Sequence, residues 1–135
     1  MIIELSEIEF RRLLDMAYIG NWILNSTRGA DRITDYDNVE SLLFSKCPSC
    51  DMSSLVDFSF GAAKPSDAFE NGGIHEAIAD YEDSVFFEIL AEELARRDMD
   101  FEPIGPENLN ELTSRIDEYI EEFEQNGIDN ISLDK

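Results

Sequence analysis

Positive charge is scarce in this sequence. Lys and Arg number 10 against 31 Asp and Glu, and the formal net charge is −21. Such a field repels phosphate groups, so direct binding to nucleic acid or to an anionic membrane is not expected. A basic protein is the favoured kind of partner. Charge that only keeps the chain in solution, or that reflects a salt-adapted host, would give the same composition.

Histidine and cysteine are also scarce, which limits the possible metal sites and nucleophiles. Besides His75 there is only one C-x-x-C, formed by Cys47 and Cys50. A structural zinc site usually needs a second pair of ligands, and a thioredoxin-type redox motif should follow a strand. We therefore predict that the chain binds no cofactor and that Cys47 is a buried structural thiol. A metal site of Cys47, Cys50, His75 and one carboxylate is the alternative. No catalytic residue is predicted, because the sequence has no nucleophile elbow, P-loop or EF-hand calcium loop.

Long apolar runs are absent, and so is a basic, apolar start. No run approaches the ~18 apolar residues of a membrane span, and Met1-Ile2-Ile3-Glu4 has no basic residue. We therefore expect a cytoplasmic protein that does not enter membranes and whose cysteines are thiols. The hydrophobic fraction of 43% is too high for intrinsic disorder, so it predicts a compact fold.

Four segments show the apolar spacing of amphipathic helices. They cover about residues 7–25, 35–46, 74–98 and 107–126. The start of the first has the form of a capping box, Ser6 to Glu9, and Gly127 is a typical residue to follow the last. We predict an all-α fold, a single domain over residues 1–135 with about four main helices. The sequence leaves the oligomeric state open.

The first two helices carry predictions about which faces are buried. The first has apolar residues on two faces, with Phe10 and Leu14 on one and Ile8 and Ile23 on the other. We predict that it is a central helix buried between others. The apolar stripe of the second is expected to face the core; it comprises Tyr36, Val39, Leu42, Leu43 and Cys47.

Residues 48–73 have no helical pattern. Apolar residues alternate with polar ones from Val56 to Phe60, so we predict an irregular loop or a short strand between helices 2 and 3. A small α+β domain that uses residues 55–60 and 128–133 is the runner-up fold. The apolar face of the third helix changes near Asp80, where the helix either breaks or packs against a different neighbour.

Aromatic residues suggest a pocket or a core. Tyr18, Trp22, Tyr36 and Tyr81 could line a binding pocket, but aromatic residues at helical spacing more often belong to the core, which is the favoured interpretation.

The last helix separates an apolar stripe from an acidic face. Residues 71–135 hold 19 acidic and four basic residues, against 12 and six in residues 1–70. We predict a non-enzymatic protein-interaction module whose basic partner docks on this face, formed by Asp117, Glu118, Glu121, Glu122 and Glu124. The alternatives are an acidic decoy that mimics nucleic acid, and a small metal-binding or enzymatic helical protein with Glu and Cys ligands.

Overall fold

A computed structural model describes residues 1–134 and confirms the all-α prediction. The chain is 65% helical, with four main helices and one very small sheet. The helices are α1 (Glu7–Asn25), α2 (Thr34–Phe44), the single turn α3 (Asp67–Phe69), α4 (His75–Asp98) and α5 (Leu109–Asn126). Strands β1 (Val56–Asp57) and β2 (Lys64–Pro65) form the sheet. None of the helices described combines the length and apolar character that a membrane crossing requires.

The chain packs into two compact units, one of residues 1–78 and one from residue 79 onward. Helix α4 is continuous through Asp80, and its first residues belong to the first unit while the rest belong to the second. The change of apolar face near Asp80 therefore reflects a change of neighbours rather than a break in the helix. That both units form a single domain stays a prediction.

Helix α1 begins as its sequence predicts. The Ser6 hydroxyl accepts from the Glu9 amide at 3.3 Å, while the Glu9 carboxylate accepts from the Ser6 amide at 2.8 Å. The prediction that α1 is buried on both faces is wrong for Ile8 and Ile23, which are exposed, although Ile19 and Trp22 pack against the core. Its buried side chains lie on one face: Phe10, Leu14, Tyr18, Asn21 and Asn25.

The face predicted for α2 is wrong for three of its five residues, whereas Leu43 packs against the core as predicted. Tyr36, Val39 and Leu42 are exposed, whereas Phe44 is fully buried together with Cys47 just after the helix. Helix α2 therefore has few apolar residues on the side that packs inward. The buried thiol predicted at Cys47 is confirmed.

The segment between α2 and α4 is irregular, as predicted. Two 3₁₀ turns, Cys47–Cys50 and Ser53–Leu55, precede β1, which pairs antiparallel with β2. The strand ends at Asp57, and Phe58 and Phe60 beyond it are exposed. Residues 128–133 form no strand, so the runner-up α+β fold is wrong.

A bend connects α3 to α4 and completes the first unit. Residues Glu70–Ile74 form a wide turn in which Gly73 has a φ of 103°, a left-handed conformation that favours glycine. The bend lets Phe69 pack at the centre of the unit while His75 starts the next helix. The core of the unit includes Leu14, Phe44 and Phe69, which are fully buried.

In the second unit, α5 packs its apolar stripe against the end of α4. Leu112 lies with Ala95 and Met99 in a small core, and Phe123 packs against Phe87 in a tilted arrangement with ring centroids 5.5 Å apart. Gly127 follows the helix with a φ of 56°, and its amide donates to the Phe123 carbonyl. This is the C-terminal glycine expected from the sequence.

Substituting Asp for Leu112 should destabilise the chain by several kcal/mol, because it buries an unpaired carboxylate. The matched control is Leu109→Asp, since Leu109 opens the same helix but is 51% exposed. Chemical denaturation followed by circular dichroism measures both. Equal stability of the two variants would contradict the packing described for α5.

Candidate functional site

A cleft of about 650 Å³ opens in the first unit, and we call it the first-unit cleft. Helices α1 and α2 form two of its walls, and the loop between them, β2 with the residues before it, and the turn after α3 contribute the rest. Most of the residues that line it are polar, and the others are aromatic or small: Tyr18, Asn21, Trp22, Ser26, Arg32, Asp37, Asn38, Glu40, Ser41, Ala62, Ala63, Lys64, Pro65 and Glu70.

The polar wall of the cleft explains the unexpected orientation of α2. Asp37, Glu40 and Ser41 lie three and four residues apart, so they share one face of the helix. This face lines the cleft, and all three side chains are half-buried. The more apolar face of α2 is consequently turned outward. A helix that buries polar residues in place of apolar ones departs from the usual pattern, and such departures are typical of functional sites.

A chain of hydrogen bonds joins the two helices beside the cleft. Buried Asn25 donates to the carbonyl of Ile33 at 3.0 Å and accepts from the Ile33 amide at 2.8 Å, which fixes the residue that precedes α2. Asn25 also donates to Asn21 at 2.7 Å, and Asn21 donates to Asp37 at 3.0 Å. Arg32 completes the chain with two bonds to the Asp37 carboxylate, both 2.7 Å. Hydrogen bonds from Arg32 lower the pKa of Asp37, so this residue is ionised.

Glu40 has the most perturbed carboxyl of the cleft. Burial, together with the negative charges of Asp37 and Glu70, raises the pKa of Glu40 to about 7. Contact with Asn21 and the charge of Arg32 offset part of this rise. Within residues 1–134, Glu40 takes part in no ion pair. It is therefore a carboxyl that changes protonation near neutral pH.

A second polar group lies around Tyr18. The Tyr18 hydroxyl is 2.7 Å from Nε2 of His75 and donates to Glu70 at 3.4 Å. Burial and the nearby charges of Glu70 and Glu40 raise the pKa of Tyr18 to about 12, which keeps the phenol neutral. The Trp22 ring packs edge-on against His75 at a centroid distance of 4.9 Å. These contacts fix both aromatic side chains that line the cleft.

The four aromatic residues considered from the sequence divide into two pairs. Tyr18 is a core residue that also lines the cleft, and half-buried Trp22 lies beside it. Tyr36 and Tyr81 are exposed and belong to neither pocket nor core. Sequence reasoning missed Asn21, Asn25 and Glu40. A signal was present, because Tyr18, Asn21, Trp22 and Asn25 recur at helical spacing along α1.

The acidic residues predicted on α5 lie together in the second unit. Asp117, Glu118, Glu121 and Glu124 are exposed. Glu122 is half-buried and accepts hydrogen bonds from Asn126 at 3.1 Å and Asn130 at 2.6 Å. With Asp98, Arg115 and Tyr119, two of these acids also line a depression of about 270 Å³: Glu118 and Glu122.

The two cysteines lie outside the first-unit cleft. Both are free; Cys47 is buried and Cys50 is half-buried. Burial raises the pKa of the Cys47 thiol, which makes it a poor nucleophile. Among residues 1–134, no three His, Cys, Asp or Glu residues are placed to hold a metal ion.

The raised pKa of Glu40 predicts a pH-dependent effect on stability. The folded chain keeps a proton on Glu40 between its ordinary pKa of 4.5 and about 7, where the unfolded chain has lost it. Stability from this group is therefore lost as the pH rises through that interval. Glu40→Gln should raise the melting temperature of the chain by a few degrees more at pH 8 than at pH 4.5.

The control for this experiment is Glu124→Gln, because Glu124 is exposed on α5. Thermal unfolding by circular dichroism at the two pH values gives the difference between each variant and the parent. A Glu40→Gln difference that does not change with pH would show that Glu40 is solvated rather than buried in the cleft.

Chemically, the first-unit cleft offers two carboxyl groups outside ion pairs, Glu40 and Glu70, next to aromatic rings and amide groups. Such a lining can bind a polar ligand and can accept protons from it. The chain matches no known protein family, no curated protein and no solved structure.

Proposed function

We propose that the chain is a non-enzymatic protein-interaction module that binds a basic partner through the outer face of α5. The single observation that carries this proposal is the distribution of ion pairs. All seven arginines form ion pairs with acids of the same chain. The arginines are thus already paired within the chain, which leaves little internal positive charge for the other acids.

Most of the acidic residues stay uncompensated. Only six of the 31 Asp and Glu residues take part in these ion pairs, and they are Asp15, Asp31, Asp37, Glu92, Asp98 and Glu111. The excess is largest in residues 71–135, which hold 19 acids and four bases. A surface of this kind attracts basic proteins over distances of about 10 Å at moderate salt.

The α5 face has little internal neutralisation. Arg115, the one cation of α5, pairs with Glu111 at 2.8 Å, one turn earlier on the helix. None of the five acids of the predicted face forms an ion pair within residues 1–134. Adjacent carboxylates strengthen each other's field, so a basic patch should associate here quickly and its binding should weaken with salt.

The test is a triple variant in which Glu118, Glu121 and Glu124 are changed to Gln. Folding should be unaffected, because exposed charges contribute little to stability. We expect a partner that is captured by the parent chain from a cell lysate at low salt to be lost by this variant.

A matched control is the triple change of Glu76, Glu82 and Glu88 to Gln on α4. These residues are exposed and have no ion-pair partner in the described part of the chain, so the net charge changes equally. Equal loss with both variants would mean non-specific attraction, and no loss with either would mean that the α5 face only keeps the chain in solution. Release of the partner by duplex DNA would favour the nucleic-acid decoy as a second function.

A further inference from the structure

The two cationic residues that line the first-unit cleft already make other contacts. Arg32 is bound to Asp37 through two hydrogen bonds of 2.7 Å. The ammonium of Lys64 lies over the ring of Phe60, 5.3 Å from its centroid. Glu40 and Glu70 are half-buried in the same cleft, and neither forms an ion pair in residues 1–134. Arg32 and Lys64 thus line the cleft without forming an ion pair with either of these two carboxyl groups.

Aromatic rings lie next to these carboxyl groups. Tyr18 and Trp22 line the cleft, and their rings stack with centroids 6.3 Å apart. The electron-rich face of a Trp or Tyr ring attracts cations, most strongly where water is partly excluded. Carboxylates beside aromatic faces form a lining that suits an organic cation better than an anion or a neutral sugar.

The walls of the cleft are fixed in advance. Helix α2 is held to α1 by the hydrogen bonds of Asn21 and Asn25, and the Tyr18 ring is held by His75 and by edge contact with Phe69 at 5.2 Å. A cavity of about 650 Å³ is within the range of small-molecule sites. Because little of the lining needs to become ordered, less binding free energy is lost on association.

We propose that the first-unit cleft binds a guanidinium group, with the carboxylates of Glu40 and Glu70 accepting its N–H groups and Trp22 contacting its flat face. A guanidinium is planar, donates two parallel hydrogen bonds to a carboxylate and stacks on aromatic rings. It is also more weakly hydrated than an ammonium, so half-buried carboxylates select it. The group can belong to an arginine side chain of a partner or to a small free guanidino compound. This site is separate from the α5 face.

Binding of a cation should be linked to proton release. The pKa of Glu40 is raised to about 7, mainly by burial, and a bound guanidinium favours its charged form. Affinity should therefore increase as the pH rises from 6 to 8. Other charged and titratable groups also lie around Glu40. They are Asp37 on α2, Arg32 just before α2, Tyr18 on α1, Lys64 on β2, Glu70 after α3 and His75 at the start of α4.

The experiment uses the single Trp of the chain as its reporter, because Trp22 lies in the cleft. Fluorescence is titrated with methylguanidine, with the capped peptide Gly-Arg-Gly and with its Gly-Lys-Gly analogue. We expect saturable binding of guanidinium probes and at least about tenfold weaker binding of the Lys peptide. Saturation by methylguanidine as well as the Arg peptide indicates a free ligand, whereas binding of the Arg peptide alone indicates a partner side chain.

Two variants locate the binding. Glu40→Gln should weaken it about tenfold or more, as expected for loss of a charge-assisted hydrogen bond, and should abolish its dependence on pH. Glu124→Gln, which removes a charge from α5, should leave it unchanged. If Glu40→Gln does not fold, Glu70→Gln takes its place, and the pH dependence of binding is measured on the parent chain.

The proposal is overturned if no guanidinium probe gives a saturable change, if the Lys peptide binds as tightly, or if both variants lose affinity equally. None of these results would bear on the α5 proposal, which is tested with separate variants and a different readout.

Discussion

The hydrogen bond between Asn21 and Asp37 is the contact on which the first unit and its cleft depend. It connects α1 to the polar face of α2, and it is supported from both sides. Asn25 fixes Asn21 and the backbone of Ile33, while Arg32 fixes the Asp37 carboxylate. A buried amide such as that of Asn21, which is 6% exposed, is costly unless it is fully hydrogen-bonded. Every buried side-chain polar atom in residues 1–134 has a partner, so this polar connection specifies the orientation of α2 at little net cost.

Much of the fold follows from local patterns in the sequence. The capping box at Ser6, the bounds of α1 and the end of α5 at Gly127 depend on neighbouring residues alone, and the structure agrees with each. The apolar stripe of α5 also packs as expected at Leu112 and Phe123. These features could be predicted because capping and helical periodicity act within a few residues.

The face of α2 could not be predicted in the same way. Periodicity assigns Val39 and Leu42 to the core, but Glu40 and Asp37 lie inward because Asn21, a residue of another helix, offers hydrogen bonds to that face. A single sequence does not reveal which helix is the neighbour, so polar residues at helical spacing look like a solvated surface. The same limit explains why the acidic face of α5 could be located on its helix. It also explains why the position of Glu40 and Glu70 in one cleft, 30 positions apart in the sequence, could not be predicted.

The account is tested most directly by a double-mutant cycle of Asn21→Ala and Asp37→Ala, with the free energy of unfolding measured by chemical denaturation. If the two side chains connect α1 and α2 as described, the cycle should give a coupling free energy of about 1 kcal/mol or more. Additive effects of the two substitutions, within about 0.3 kcal/mol, would contradict the account, because α2 would then be oriented by other contacts and the cleft would not depend on this hydrogen bond.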